Sequence, residues 1–164
     1  MSNCLIIPSF PIMGIKRATP KDVPDLITIY RTPYPVLSNY KKLMNDLQLE
    51  PYAGGSHVKQ GPSWEPGYIT SGYRDESPSS PHGFAIALDI AIGDIHLQYK
   101  AAIAALKYFN RVGLYPNNGI IHVDLFNDIL MAHYNKIHRF WVRKNNIYTK
   151  FHDLAKAYEF AKVK

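Results

Sequence analysis

The sequence has one cysteine, Cys4, so no internal disulfide can form and no zinc site can draw on more than one thiolate. Stability therefore does not depend on an oxidising compartment. No apolar run approaches the ~20 residues that a bilayer span requires. The first 15 residues are apolar but hold Pro8 and Pro11, and no Lys or Arg precedes Lys16, so the charged leading part of a secretory signal is missing. The expectation is cytoplasmic synthesis without a signal peptide and without membrane insertion. No internal repeat and no block of like charge is present. With 10 glycines and 12 prolines, the composition also excludes low-complexity, collagen-like and coiled-coil classes.

What is present suits one ordinary domain spanning residues 1–164. The chain is 46% apolar and carries 2 Trp, 12 Tyr and 7 Phe, enough to build a core without staples. The formal charge of +6 favours association with polyanions. However, the basic residues are scattered, and the densest run (Lys136, His138, Arg139, Arg143, Lys144) is interleaved with apolar residues like a strand. A nucleic-acid-binding reading would rest on charge alone, and no nucleic-acid partner is expected.

Prolines at 8, 11, 20, 24, 33 and 35 mark residues 1–35 as an extended lead-in. A helix is expected from an N-cap at Ser38, carrying Leu37, Tyr40, Leu43, Met44 and Leu47 at helical spacing and ending at Pro51. Residues 52–67 read as loop. From Tyr68 the period changes to that of strands. A short strand at 68–71 and one at 85–90 are expected, the latter with Ala85, Ala87 and Asp89 on one face. A helix over 96–111 should end with Gly113 as its C′ glycine. Strands at 120–125 and 139–143, a Lys-Asn-Asn turn and a last helix over about 150–162 complete the reading. The class is α+β: a small, mostly antiparallel sheet with helices packed on one side.

Two of the seven histidines have suggestive contexts. His82 leads into the strand that carries Asp89, and a carboxylate within Ala-Ile-Ala-Leu-Asp-Ile is costly unless it meets a partner. One reading has Asp89 cap a neighbouring loop. The other makes His82 and Asp89 metal ligands, with His122 from a nearby strand as the third, a set that suits Zn²⁺ in a site on the sheet face. Spacing alone leaves the two readings level.

The order of motifs adds to this. Ile69-Thr-Ser-Gly-Tyr-Arg74, Ser80-x-His82-x-x-Ala85-x-Ala87-x-Asp89, Gly113-x-Tyr115 and Ile121-His122-Val-Asp124 resemble the zinc peptidases of the D-alanyl-D-alanine carboxypeptidase family. That family includes phage-type L-alanyl-D-glutamate endopeptidases and shares its metal site with the hedgehog signalling domain. The match covers about residues 68–124, and Trp141 also fits. Residues 125–164 are then expected to add a hairpin and a helix to that core, or an envelope-binding surface. The resemblance implies one Zn²⁺ per chain held by His82, Asp89 and His122. It implies that Arg74 pairs with a substrate carboxylate or carbonyl, the alternative being an ordinary turn residue. Ser80 is read either as a residue orienting the substrate loop or as a plain turn serine.

Two positions depart from the family pattern. Ala85 stands where relatives have glycine, at a close approach of backbone. Gly119 stands where many relatives place the acid that acts as general base. Asp124, on the same strand face as His122, is the replacement candidate, with an equal claim to a role orienting a ligand imidazole. Asp75 and Glu76 are the remaining candidates. The function implied is hydrolysis of bacterial peptidoglycan peptides by a phage-type lysis enzyme, acting on the cell wall after release or carried on the virion. The alternative is a zinc-stabilised, non-catalytic binding module of the same fold.

Overall fold

The computed structural model describes residues 34–49, 66–72 and 80–163. The expected lead-in up to residue 33, the loop up to residue 65, and Arg74, Asp75 and Glu76 lie outside them. The elements are α1 (Tyr34–Asp46), β1 (Ile69–Ser71), β2 (Ala87–Ala91), α2 (Ile95–Ala105), β3 (Arg111–Tyr115), β4 (Ile120–Asp124), α3 (Asp128–His133), β5 (Phe140–Lys144), β6 (Ile147–Phe151) and α4 (Leu154–Lys162).

Period-2 alternation builds one six-stranded sheet in the order β1-β2-β4-β3-β5-β6. Every pairing is antiparallel except β3 with β5. Leu88 and Ile90, Val112 and Leu114, Ile121 and Val123, and Val142 share one core with Val36, Tyr40, Leu43 and Met44 of α1, the alanines of α2, and Leu154, Ala157 and Ala161 of α4. Each such aliphatic side chain stabilises the fold by roughly 1.5–3 kcal/mol relative to exposure. The expected α+β class is what the structure shows. The alternate positions (Asp89, Arg111, Gly113, Tyr115, His122, Trp141) line a cleft on the other face or pack at its floor. The residues after Asp124 are continuous with this sheet, because β5 docks directly on β3.

Several boundaries differ from expectation for identifiable reasons. The first helix begins at Tyr34, not Ser38, since Pro35 in a first turn has no N–H that the helix would need. It ends before Pro51: Gln48 turns left-handed (φ 56°), and the N–H of Leu49 reaches back to the carbonyl of Met44. α2 starts one residue before His96 because the Asp94 carboxylate accepts from the N–H groups of His96 and Leu97. It stops at Ala105, and Gly113 is no helix cap. It sits in the middle of β3, where a Cβ would come within 2.4 Å of the Trp141 ring. Ala85 precedes β2 instead of belonging to it. Its φ of 57° lies in the left-handed region, which a glycine adopts more readily than an alanine. The Lys-Asn-Asn turn is a two-residue connection, Asn145 and Asn146 both left-handed (φ 51° and 63°), which suits a tight hairpin. The last helix starts at Leu154, capped by Asp153, because Lys150 and Phe151 belong to β6.

Gly113→Ala is a direct test of the packing across β3. The added methyl must displace the indole, so we expect a loss of about 1–3 kcal/mol in denaturant unfolding. Unchanged stability would mean that Trp141 is free to move away.

Candidate metal centre

The sheet register puts the site together. Asp89 on β2 lies directly opposite His122 on β4, with no offset between the strands. His82 arrives from a tight turn just before β2, tied by bonds from the N–H of Gly83 to the carbonyl of Ser80 and from Ile86 to Pro81. The Ser80 hydroxyl accepts the backbone N–H of His82 at 3.3 Å. All three side chains are almost fully buried. His82 Nε2 lies 3.1 Å from His122 Nδ1, which lies 2.8 Å from Asp89 Oδ1. The third side, Asp89 Oδ1 to His82 Nε2, is 3.3 Å. These residues could hold a metal ion. For comparison, a tetrahedral zinc with bonds of about 2.0–2.1 Å sets its donors ~3.3 Å apart.

The outer nitrogens decide what the inner ones can do. His82 Nδ1 lies 2.6 Å from the carbonyl of Gly72, a pure acceptor, so it carries the proton and donates it there. His122 Nε2 lies 3.0 Å from Asp124 Oδ2 and donates to it. Each neutral ring therefore turns a lone pair toward Asp89. Three acceptors aimed at one point repel unless a cation lies among them. Without a metal, a proton fills the role. Burial alone would lower the pKa of His122, but hydrogen bonds to Asp124 and Asp89 outweigh it and raise the pKa above the usual 6.5. Burial would raise Asp89, yet the neighbouring His82 and His122 hold it well below 3.8.

Asp124 has two candidate roles in the sequence, and its surroundings support one of them. It is fully buried. Arg111 on β3, directly opposite it, grips both oxygens, with Nη2 at 2.8 Å and Nε at 3.1 Å. The backbone N–H of Phe126 occupies Oδ1 at 2.9 Å, and His122 occupies Oδ2. A general base must reach a water with a lone pair to spare, and this carboxylate has none facing the cleft. These contacts favour the second of its two expected roles, in which the carboxylate orients the His122 ring and its tautomer. Burial raises its pKa, but the His122 and Arg111 contacts more than offset this and hold it below 3.8.

Arg111 has no counterpart in the sequence reading. Its guanidinium lies 5.0 Å from the ring centres of both Phe126 and Trp141, a stacked site that a lysine would not fill in the same way. Gly72 belongs to the Ser-Gly-Tyr-Arg stretch, but what it contributes is a backbone carbonyl that sets the His82 tautomer. No local pattern marks Arg111. Position 119 suits a glycine. Gly119 turns left-handed (φ 69°) between β3 and β4, and a Cβ there would press to 3.3 Å on the carbonyl of Gly93.

The cluster lies in a cleft of about 660 Å³ with Ser80, Tyr115, Trp141 and Arg143 among its walls. Trp141 lies against His122, ring centres 5.0 Å apart. Among the described residues, no fourth His, Cys, Asp or Glu joins the three. No helix among them is long and apolar enough to cross a membrane. Comparison of the chain with known protein families, curated proteins and solved structures finds no match.

Proposed function

We propose that the protein is a zinc-dependent peptidase acting on bacterial cell-wall peptides, with one zinc per chain. The observation that carries this reading is the convergence of three lone pairs, both imidazole protons turned outward, at a point lining an open cleft. Two imidazoles and one carboxylate suit Zn²⁺, and three protein ligands beside open space match a catalytic site better than a closed structural one. A bound zinc would supply a Lewis acid and a water acidified toward pKa ~7.

The remaining tasks fall to the chain itself. Gly72 and Asp124 hold the two imidazoles in their tautomers, and Arg111 holds Asp124. Burial pushes the Tyr115 hydroxyl well above its usual pKa of 10, so it stays a neutral donor on the cleft wall. There it can meet a carbonyl oxygen of a bound peptide. Arg74 keeps its assignment to a substrate carboxylate on the strength of the motif resemblance, which is also the source of the cell-wall substrate class.

A zinc-stabilised binding module is the second reading. One observation favours it: Asp124 is fully engaged and position 119 carries no side chain, so neither supplies a base. The test is incubation of purified peptidoglycan with zinc-loaded and with chelated protein, reading released peptides and new amino termini by mass spectrometry. Release that stops on chelation and returns with zinc is the expected result. Full metal occupancy without release would leave the binding module.

A further inference from the structure

The cleft continues past the metal cluster along one row of the sheet. Register sets Asp89 opposite His122, His122 opposite Gly113, Gly113 opposite Trp141 and Trp141 opposite Lys150. Trp141 forms the floor between the two ends of this row, lying over the bare backbone of Gly113. At the far end three basic side chains, Lys136, His138 and Lys150, line the same cleft.

Their placement is built into the fold. α3 ends in a left-handed Asn135 (φ 51°), and the N–H of Lys136 closes on the carbonyl of Met131 at 2.7 Å, which pins the backbone of Lys136. Tyr134 anchors that end of the helix against Phe84 and Phe126, ring centres 5.4 and 5.8 Å away. The tight Asn145-Asn146 turn fixes the register that sets Lys150 beside Trp141.

Lys136 and Lys150 bring like charge to this end of the cleft, and His138 adds an imidazole beside them. Among the described residues, no carboxylate forms an ion pair with any of them. Asp124 is already neutralised by Arg111. His138 Nδ1 is buried with no hydrogen-bond partner. Burial, then Arg111 and Lys150, lower the pKa of Lys136, and burial, then His152 and Lys150, lower that of His138. Gathering like charges beside an aromatic floor is unfavourable in itself, and an anion bound among them offsets that cost.

We propose that the cleft end framed by Lys136, His138 and Lys150 is a carboxylate-binding subsite for an extended peptide whose other end lies at the metal cluster. The peptide rests on the peptidase reading, and the anion rests on this geometry. Three strand spacings separate His122 from Lys150, about 14 Å, or roughly four extended residues. The ligand class is therefore a short peptide carrying a carboxylate three or four residues from the group at the metal cluster.

The test uses the full chain, zinc-loaded and chelated, and two blocked tetrapeptides, acetyl-Glu-Ala-Ala-Ala-amide and its Gln counterpart, with affinities read by calorimetry. The Glu peptide should bind roughly tenfold more tightly in both metal states. In Lys136→Gln/Lys150→Gln the advantage should fall below about twofold. Lys150 is exposed and Lys136 only half-buried, so the double variant should retain its fold, which circular dichroism checks. Equal affinities in the parent protein, or an advantage that survives the double substitution, would overturn the proposal. So would an advantage seen only with zinc, which would place the carboxylate on the metal. A Glu advantage in a protein that releases nothing from peptidoglycan keeps the subsite and removes the peptidase reading.

Discussion

Arg111→Met is expected to destabilise the protein by about 3–5 kcal/mol, the usual size of removing one partner from a buried ion pair. Methionine fills much of the space between Phe126 and Trp141, so packing is largely kept and the loss falls on Asp124. That carboxylate would remain in the core with only His122 and the Phe126 N–H to solvate it. Removing both charges should cost far less than the sum of the two single changes. In Arg111→Met/Asp124→Leu neither half of the pair stays behind, and much of the lost stability should return. Urea unfolding of the four proteins in this cycle checks the expectation. A single Arg111→Met loss below about 1 kcal/mol would show that the pair is not holding Asp124 as the geometry indicates.

The second large effect concerns metal. His122→Ala deletes one of three donors and should abolish stoichiometric zinc, read by elemental analysis. Asp124→Asn keeps all three donors but exchanges a charged acceptor for a neutral one behind the ring. A fall in affinity of about 10–100-fold is expected, with occupancy restored by excess zinc. Full zinc content in His122→Ala would remove the residue from the site.

The raised pKa of His122 also sets a pH dependence. In the chelated protein its extra proton contributes stability that is fully present below pH 6.5 and lost as pH rises through the folded-state value. Zinc competes for the same place, so below that folded-state value affinity should fall on the order of tenfold per pH unit. Asp89 and Asp124 shift the other way. Their contributions are present above 3.8 and disappear only as pH drops through their lowered values, outside the window in which His122 titrates. Zinc affinity that does not change between pH 5 and 8 would show that His122 holds no proton there.

Much of the site was legible because its parts carry local signals. The alternation Ala-Leu-Asp-Ile-Ala places Asp89 on the face away from the aliphatic core, and Ile-Ile-His-Val-Asp does the same for His122 and Asp124. The motif order then joins His82 to them. What stayed hidden depends on pairing between distant segments. Gly113 reads as a helix stop until Trp141 is known to lie across it from a strand paired in parallel. Arg111 reads as one more surface cation until the β3–β4 register sets it opposite Asp124. α3 is only six residues long, too short to display a period, and its Asn127 cap is the one local hint. The two proposed roles of Asp124 could not be separated from sequence, since they differ only in which atoms surround the carboxylate.

The position of β4 in the middle of the sheet has a consequence for how the site comes apart. His122 and Asp124 sit on a strand paired along its whole length on both sides, so their amides can exchange with solvent only when the sheet itself opens. His82 instead rides on a turn beside β1, a three-residue strand at the sheet edge with an irregular register. On its outer side, its imidazole donates to the Gly72 carbonyl just beyond that strand. Fraying of this edge releases one donor while the other two stay in register. Loss of a metal held there and loss of the fold would thus be separate events with separate rates, the first governed by a short peripheral segment and the second by the whole sheet.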